Sequence, residues 1–129
     1  MLLCDYAESA NGKLYVMGGG WTEVSGQGPV SCSLAVKLDV RWDETNRKHA
    51  VELVLLDVDG GVVQGAEDED VKVGLEFETG RPPGSIPGDD MTTTLAFRFQ
   101  ALALRPGGYR FSFTVDGEEL AASRFRVLD

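Results

Sequence analysis

The stretch Leu104 to Val115, LRPGGYRFSFTV, decides the fold class of this chain. It opens with the turn Arg105-Pro106-Gly107-Gly108, in which proline sets φ and the glycines accept positive φ without steric cost. From Tyr109 to Val115 apolar and polar side chains then alternate, with both phenylalanines on the apolar face. A period of two predicts a β-strand with one buried face.

The position of Tyr109 adds a tertiary expectation. A tyrosine that opens a strand directly after such a turn resembles the tyrosine corner of Greek-key sandwiches. In that corner the phenol donates a hydrogen bond to backbone a few residues upstream. We therefore expect this bond at Tyr109.

Further strands follow from the same reasoning along the chain. Asn11-Gly12 is a hairpin turn signal between two short strands, and a change of phase after Gln100 predicts a bulge or a bend near Gln100 to Ala101. The nearly continuous apolar run Val51 to Val58 predicts a strand covered on both faces, and Val62-Val63 starts a return strand. Alternating strands are predicted at Leu34 to Trp42, Val71 to Phe77 and Met91 to Phe99.

No window shows helical periodicity. About nine short strands with turn signals between them predict an all-β fold, an antiparallel two-sheet β-sandwich with an immunoglobulin-like Greek key. The length of 129 residues predicts a single domain over residues 1–129. The disulfide and central tryptophan of antibody domains are not reproduced, because Cys32 has only Phe111 or Phe113 in the partner position.

The charge balance limits the partners. The formal net charge is −9, so we expect neither nucleic acid nor an anionic membrane surface as a partner.

The segment MLLCDYAES lacks the basic region of a signal peptide, which favours a cytoplasmic location with Cys4 and Cys32 reduced. The run Gly18 to Gly20 has no following helix or lysine to hold a phosphate, and no cofactor is expected.

The binding hypothesis rests on tryptophans, arginines and loops. Tryptophan and arginine are enriched at interface hot spots, and a proline-rich loop such as Gly80 to Gly88 presents side chains at low entropic cost. In the alternative interpretation both tryptophans are structural. Trp42 then lies on the core face of its strand, because it continues the period of Leu34 to Val40, and Trp21 plugs one end of the sandwich. The candidate binding residues are Trp21, Trp42, Asp43, Asn46, Arg47, His49 and Arg81.

His49 is the only histidine, so any histidine-dependent hydrolase mechanism must use it. Cys32, Ser31 and Ser33 are the possible nucleophiles, but no G-x-S-x-G elbow surrounds them. Asp43 and Glu44 are placed to orient the imidazole. A loop histidine that is solvated or caps a turn is the simpler interpretation.

Calcium binding is a second alternative. Hard cations take clustered carboxylate oxygens, and convergent acidic loops at one end of a sandwich provide them. The weak candidate ligands are Asp57 and Asp59 in one turn and Asp68 and Asp70 in the acidic run Glu67 to Asp70, with Asp89-Asp90 as a third segment that can converge with them. Asp57-Val58-Asp59-Gly60 lacks the remaining ligands of an EF-hand loop, and Asp-Gly is also a hairpin turn signal.

Three segments together, MLLCDYAESANGKLYVMGGGW, RWDETNRKH and FETGRPPG, resemble a family of short uncharacterised proteins found mainly in high-GC Gram-positive bacteria. The resemblance covers most of the chain and implies one small domain, without implying an activity. The residues favour a non-catalytic binding or assembly module whose partner is another protein or a second copy in a homodimer. A calcium-dependent carbohydrate-binding domain and a hydrolase using His49 are the alternatives.

Overall fold

The computed structural model describes residues 1–129 and consists of strands, turns and one short 3₁₀ turn at Trp42–Glu44. None of its helical structure has the length and apolar character needed to cross a membrane. The nine strands are β1 Leu2–Ala10, β2 Lys13–Gly19, β3 Glu23–Ser25, β4 Val30–Val40, β5 Lys48–Asp57, β6 Lys72–Glu78, β7 Met91–Leu102, β8 Gly107–Val115 and β9 Glu118–Leu128.

The strands form two sheets. One has the order β2-β1-β4-β7 and the other the order β3-β9-β8-β5-β6, so the predicted all-β fold with two sheets and nine strands is confirmed. All pairings within them are antiparallel except that of β3 with β9, which is parallel. The expectation of purely antiparallel sheets was wrong at this edge, because the chain reaches β3 by crossing from the first sheet and not by turning back from β9.

The core lies between the sheets and is built from the alternating side chains that the sequence indicates. Leu34 of β4, Leu53 and Leu55 of β5, and Phe111 and Phe113 of β8 are all at most 1% exposed. The ring of Phe111 lies 5.1 Å from that of Phe99 and 5.7 Å from that of Phe125. Burial of such side chains contributes roughly 2–3 kcal/mol each, which makes this layer the main source of stability.

The predicted bond at the start of β8 is present. Tyr109 Oη donates to the Arg105 carbonyl oxygen at 2.8 Å, and the phenol ring stacks on Phe125 at 5.6 Å. The ring contact and the hydrogen bond together fix the approach of the loop to β8.

Two local predictions about the backbone are also confirmed. Asn11 and Gly12 both have positive φ, 53° and 72°, as a two-residue hairpin of type I′ requires. In the pairing of β4 with β7, Val30 faces Leu102 while Cys32 faces Phe99, which places one extra residue on β7. Ala101 takes a φ of 56° at this bulge.

The β1–β2 hairpin folds across the outer face of its own sheet. Cys4 and Ala7 of β1 pack there against Ala35 of β4 in a second, small buried cluster. Ser9 Oγ reaches Thr94 Oγ1 of β7 at 2.7 Å, so the hairpin spans the whole sheet. Small side chains at the contact allow this close approach.

The two cysteines are free thiols on opposite faces of this sheet. Cys4 Sγ donates to the Ser33 carbonyl oxygen at 3.5 Å. Burial raises the pKa of the Cys32 thiol to about 12. Both thiols therefore act as small core side chains.

Two expectations for the β5 region were wrong. Burial alternates along β5, with Val51 buried and Glu52 exposed, so only one face of this strand is covered. The chain does turn back at Asp59-Gly60, where Val62 bridges to Leu56 and Val63 N–H donates to the Leu55 carbonyl oxygen at 2.9 Å. No strand forms from these bridges, and the strand that pairs with β5 begins at Lys72.

Candidate functional site

Three connections meet at one end of the sandwich. They are residues 41–47 between β4 and β5, residues 79–90 between β6 and β7, and the turn 116–117 between β8 and β9. Asn46 N–H donates to the Thr79 carbonyl oxygen at 2.8 Å, and His49, at the start of β5, contacts Asp116. We call these connections and His49 the loop cluster.

Arg81 joins two of the three connections. Its Nε donates to Thr45 Oγ1 at 2.6 Å and its Nη2 donates to the Trp42 carbonyl oxygen at 2.6 Å. The guanidinium Cζ lies 3.9 Å from the centre of the Trp42 ring. A planar group with donors in a fixed fork can make all three contacts at once, which a lysine cannot do.

The interpretation of Trp42 as a core residue of β4 was wrong. The strand ends at Val40, and Trp42 begins the 3₁₀ turn with its side chain half-buried beneath Arg81. Thr45 Oγ1 donates to the Trp42 carbonyl oxygen at 2.7 Å and closes this turn. The alternation of apolar and polar residues continues past the point at which the backbone leaves the sheet, so periodicity alone does not show where the strand ends.

His49 is 3% exposed and uses both ring nitrogens. Nε2 lies 2.7 Å from the Glu44 carbonyl oxygen, which only accepts, and Nδ1 lies 2.7 Å from Asp116 Oδ2. The Asp116 carboxylate, followed by the Glu44 carbonyl, raises the pKa of His49, and the same contact lowers the pKa of Asp116. Both neighbours favour the doubly protonated imidazolium.

This geometry corrects two expectations about His49. The ring is not solvated. It does cap a turn, because Nε2 meets the carbonyl of Glu44, the last residue of the 3₁₀ turn, but it also bonds to Asp116, 67 residues away along the chain. The backbone carbonyl of Glu44 orients the ring, whereas Asp43 does not contact it. Asp116-Gly117 reads in the sequence only as a turn, so no local signal identifies Asp116 as a member of the site.

The hydrolase alternative finds no support in this arrangement. A general base needs a free nitrogen within hydrogen-bond reach of a nucleophile. Both nitrogens of His49 are occupied, and the candidates Ser31, Cys32 and Ser33 belong to β4 of the other sheet. Ser31 Oγ instead accepts a hydrogen bond from Ala101 N–H at the bulge.

The remaining candidate side chains of the first connection are exposed. Asp43 forms a bidentate ion pair with Arg41, at 2.9 and 3.3 Å, and this contact lowers its pKa. Asn46 adopts a φ of 59°, which asparagine tolerates better than most residues. Arg47 is exposed and forms no ion pair.

Trp21 lies at the other end of the five-stranded sheet. Its ring packs edge-on against Phe125 at 5.9 Å and joins the main core, while its indole Nε1 is buried without a hydrogen-bond partner. The structure therefore does not bring Trp21 together with Trp42. Its position matches the interpretation in which it plugs one end of the sandwich.

The acidic candidates do not converge. Asp57 Oδ1 accepts the N–H groups of Asp59 and Gly61, both at 2.9 Å, and so closes its own turn. The Asp70 side chain is hydrogen-bonded to Gln64, and Asp68 has a positive φ of 62° in the turn just before Asp70. The chain contains no group of three or more His, Cys, Asp or Glu side chains placed to hold a metal ion. The calcium alternative thus has no geometric support.

A shallow open groove of about 740 Å³ runs beside the loop cluster. Its walls come from the end of β6, the start of the 79–90 connection and the start of β7, with Arg81 at the boundary with the cluster. The hydroxyl groups of Thr79 and Thr93 bond to each other across it. Trp42, Arg81 and this groove form one continuous surface with both aromatic and polar groups.

The fold and this surface define a small two-sheet β-sandwich whose connecting loops are tied into a preorganised cluster at one end. The sequence profile of a family of unknown function, DUF6941, matches residues 1–128, and the chain belongs to that family. No curated protein sequence matches it.

One solved structure is similar at the level of the backbone. It is Pseudomonas fluorescens alkylpurine DNA glycosylase AlkC bound to DNA containing an abasic site analog, with a TM-score of 0.45 and 12% sequence identity. The similarity covers 84% of this chain and 28% of the glycosylase chain. A likeness at this level carries no information about activity.

Proposed function

We propose that this protein is a non-catalytic binding module that engages a protein partner through the loop cluster. The observation that carries the proposal is the position of Arg81, which stacks on Trp42 and bonds to two groups of the first connection. Tryptophan and arginine supply much of the binding energy at protein interfaces. A pair that is already ordered loses little entropy when a partner binds.

The order of the strands supports the same proposal. If β4 and β7 correspond to strands B and E, and β5, β6, β8 and β9 to C, C′, F and G, the two sheets have an immunoglobulin-like Greek-key arrangement. The β4–β5 and β8–β9 connections then correspond to the B–C and F–G loops. Those loops carry recognition in antibody variable domains, and this correspondence is an analogy of fold.

The arrangement of His49 supports a binding role over a catalytic one. Its contacts to Glu44 and Asp116 hold the start of β5 against the β8–β9 turn. Both contacts serve to position the loops. Arg47 and Asn46 then project from a fixed base.

A pull-down from the lysate of a high-GC Gram-positive bacterium tests the proposal, since the family resemblance suggests this source. We expect the tagged wild type to retain a stoichiometric protein that Trp42→Ala with Arg47→Ala, or Arg81→Ala, does not retain. Arg98→Ala is the matched control, because Arg98 also lies over an aromatic ring, that of Tyr6 at 4.9 Å, on the outside of the other sheet. Retention of the same proteins by all variants, or of none by the wild type, refutes the proposal.

Self-association is a second candidate, favoured by the edge strand β2. Tyr15, Val16 and Met17 are 54%, 38% and 70% exposed on a strand with an unpaired edge and no acidic residue. Such an edge is a template for pairing with another strand, and pairing with the same strand of a second copy closes a twofold dimer.

Light scattering after size exclusion tests this candidate at several protein concentrations. We expect a dimer that Val16→Lys converts to a monomer. Val58→Lys should remain a dimer, because Val58 is 80% exposed on the turn after β5, in the other sheet. A monomeric wild type at all concentrations excludes the candidate.

A further inference from the structure

A second groove lies on the outer face of the five-stranded sheet, at the end opposite the loop cluster. It has a volume of about 650 Å³. The start of β8, the C-terminal half of β9, the end of β5 and the residues leading into β3 line it. Three of the lining side chains are arginines, namely Arg110, Arg124 and Arg126.

The register of the sheet brings these arginines together. Arg110 of β8 lies directly opposite Arg124 of β9, and Arg126 lies two residues further along β9 on the same face. Like charges directly opposite each other on neighbouring strands destabilise a sheet. This concentration of positive charge occurs in a chain with a net charge of −9, so overall composition does not account for it.

The chain neutralises only one of the three guanidinium groups. Arg110 Nη1 donates to Glu119 Oε1 at 2.8 Å, whereas Arg124 and Arg126, both exposed, form no ion pair. Glu23 faces Arg126 across the β3–β9 pair without forming an ion pair. The other carboxylate of the groove, Asp57, is held by N–H groups of its own turn.

The Arg126 guanidinium lies close to the backbone at Gly108. This glycine faces Arg126, and an Arg126 guanidinium nitrogen lies 3.7 Å from the point that a Cβ atom at position 108 would occupy, which is an ordinary van der Waals distance. The groove beside Arg124 and Arg126 is open to solvent, so their free donors can reach a planar or tetrahedral group with several oxygens.

We propose that this arginine groove binds a small molecule that carries an oxyanion, either carboxylate or phosphate. Guanidinium groups bind both anions through paired N–H donors, and the bound charge would relieve the repulsion between Arg110 and Arg124. Val58, 80% exposed at the rim, provides an apolar contact for the body of the ligand. The site is separate from the loop cluster and goes beyond the proposed binding of a protein.

Isothermal titration and thermal unfolding with two probes test the proposal and distinguish its two sources. Citrate represents carboxylates and pyrophosphate represents phosphates, each compared with sodium chloride at equal ionic strength. We expect saturable binding of one probe with a rise in Tm. Arg124→Gln should weaken that binding about tenfold or more without lowering the Tm of the free protein, since it removes one charged donor and one repulsive contact.

Two controls make the outcome decisive. Arg98→Gln, on the other sheet, and Trp42→Ala, in the loop cluster, should both bind the probe as the wild type does. The second control separates this proposal from the proposed protein interface, because either site can fail alone. Absence of saturable binding of both probes, or equal binding by Arg124→Gln, overturns the proposal.

Discussion

Replacement of Arg81 tests whether the loop cluster is preorganised. In Arg81→Ala two hydrogen bonds of 2.6 Å disappear together with the contact of the guanidinium to the Trp42 ring at 3.9 Å. Each hydrogen bond contributes about 1 kcal/mol, and an exposed cation–π contact contributes about 0.5–1 kcal/mol. The variant no longer loses conformational entropy by ordering the arginine side chain and the loops that it joins, which offsets about 1 kcal/mol of this loss.

The expected loss in the free energy of unfolding is therefore about 1.5 kcal/mol, a fall in Tm of about 5 °C for a domain of this size. Thr45 keeps its bond to the Trp42 carbonyl oxygen, so no buried polar group is left without a partner. Arg81→Lys should lose about 1 kcal/mol, because an ammonium group cannot reproduce the fork of donors.

Urea unfolding followed by tryptophan fluorescence and by circular dichroism measures these changes. A double-mutant cycle with Trp42→Ala should give a coupling free energy of about 0.5–1 kcal/mol. Arg98→Ala, which removes only a contact of 4.9 Å to the Tyr6 ring, should lose less than Arg81→Ala. Wild-type stability in Arg81→Lys, or a coupling free energy near zero, would show that the reasoning is wrong.

Three further predictions follow from other contacts. The pKa of His49 is raised and that of Asp116 is lowered, so the contribution of their contact to stability is complete between about pH 4 and pH 6.5. The contribution is lost as pH rises through the folded pKa of His49. It is also lost as pH falls through the folded pKa of Asp116. The difference in unfolding free energy between wild type and Asp116→Asn should therefore shrink from pH 6 to pH 8.5, and a constant difference would contradict the assignment. Tyr109→Phe, which removes the bond to the Arg105 carbonyl oxygen, should lower the unfolding free energy by about 1 kcal/mol in the same urea assay, and no loss would remove its role in fixing the loop. Cys4 and Cys32 should react with a thiol reagent at pH 8 only after unfolding, since burial raises the pKa of each thiol, and rapid reaction of the native protein would contradict their burial.

The sequence predicted the parts of the fold that depend on local chemistry. The turn at Asn11-Gly12 requires positive φ at both positions, and the change of phase at Gln100 requires an extra residue on one strand. Both features are readable because their cause lies within a few residues. The same holds for the core face of β8.

The parts that sequence reasoning missed depend on contacts between distant segments. Trp42 leaves β4 because the 3₁₀ turn is closed by Thr45 and covered by Arg81, which is 39 residues away. His49 is buried because Asp116 and the Glu44 carbonyl satisfy its two nitrogens. The spacing of residues along the chain does not show which distant residues pair. The sequence therefore predicted candidate binding residues in the loops but not the contacts between them.

The parallel pairing of β3 with β9 affects the order in which the protein can fold during synthesis. Glu23 pairs with Arg126, more than a hundred residues later, and the buried residues Phe125 and Val127 belong to the same late strand. Pairing across such a separation closes a long loop and is slow. A ribosome must therefore have released residue 127 before β9 can cover the edge of β8 and pair with β3, and until then that edge of the five-stranded sheet is exposed.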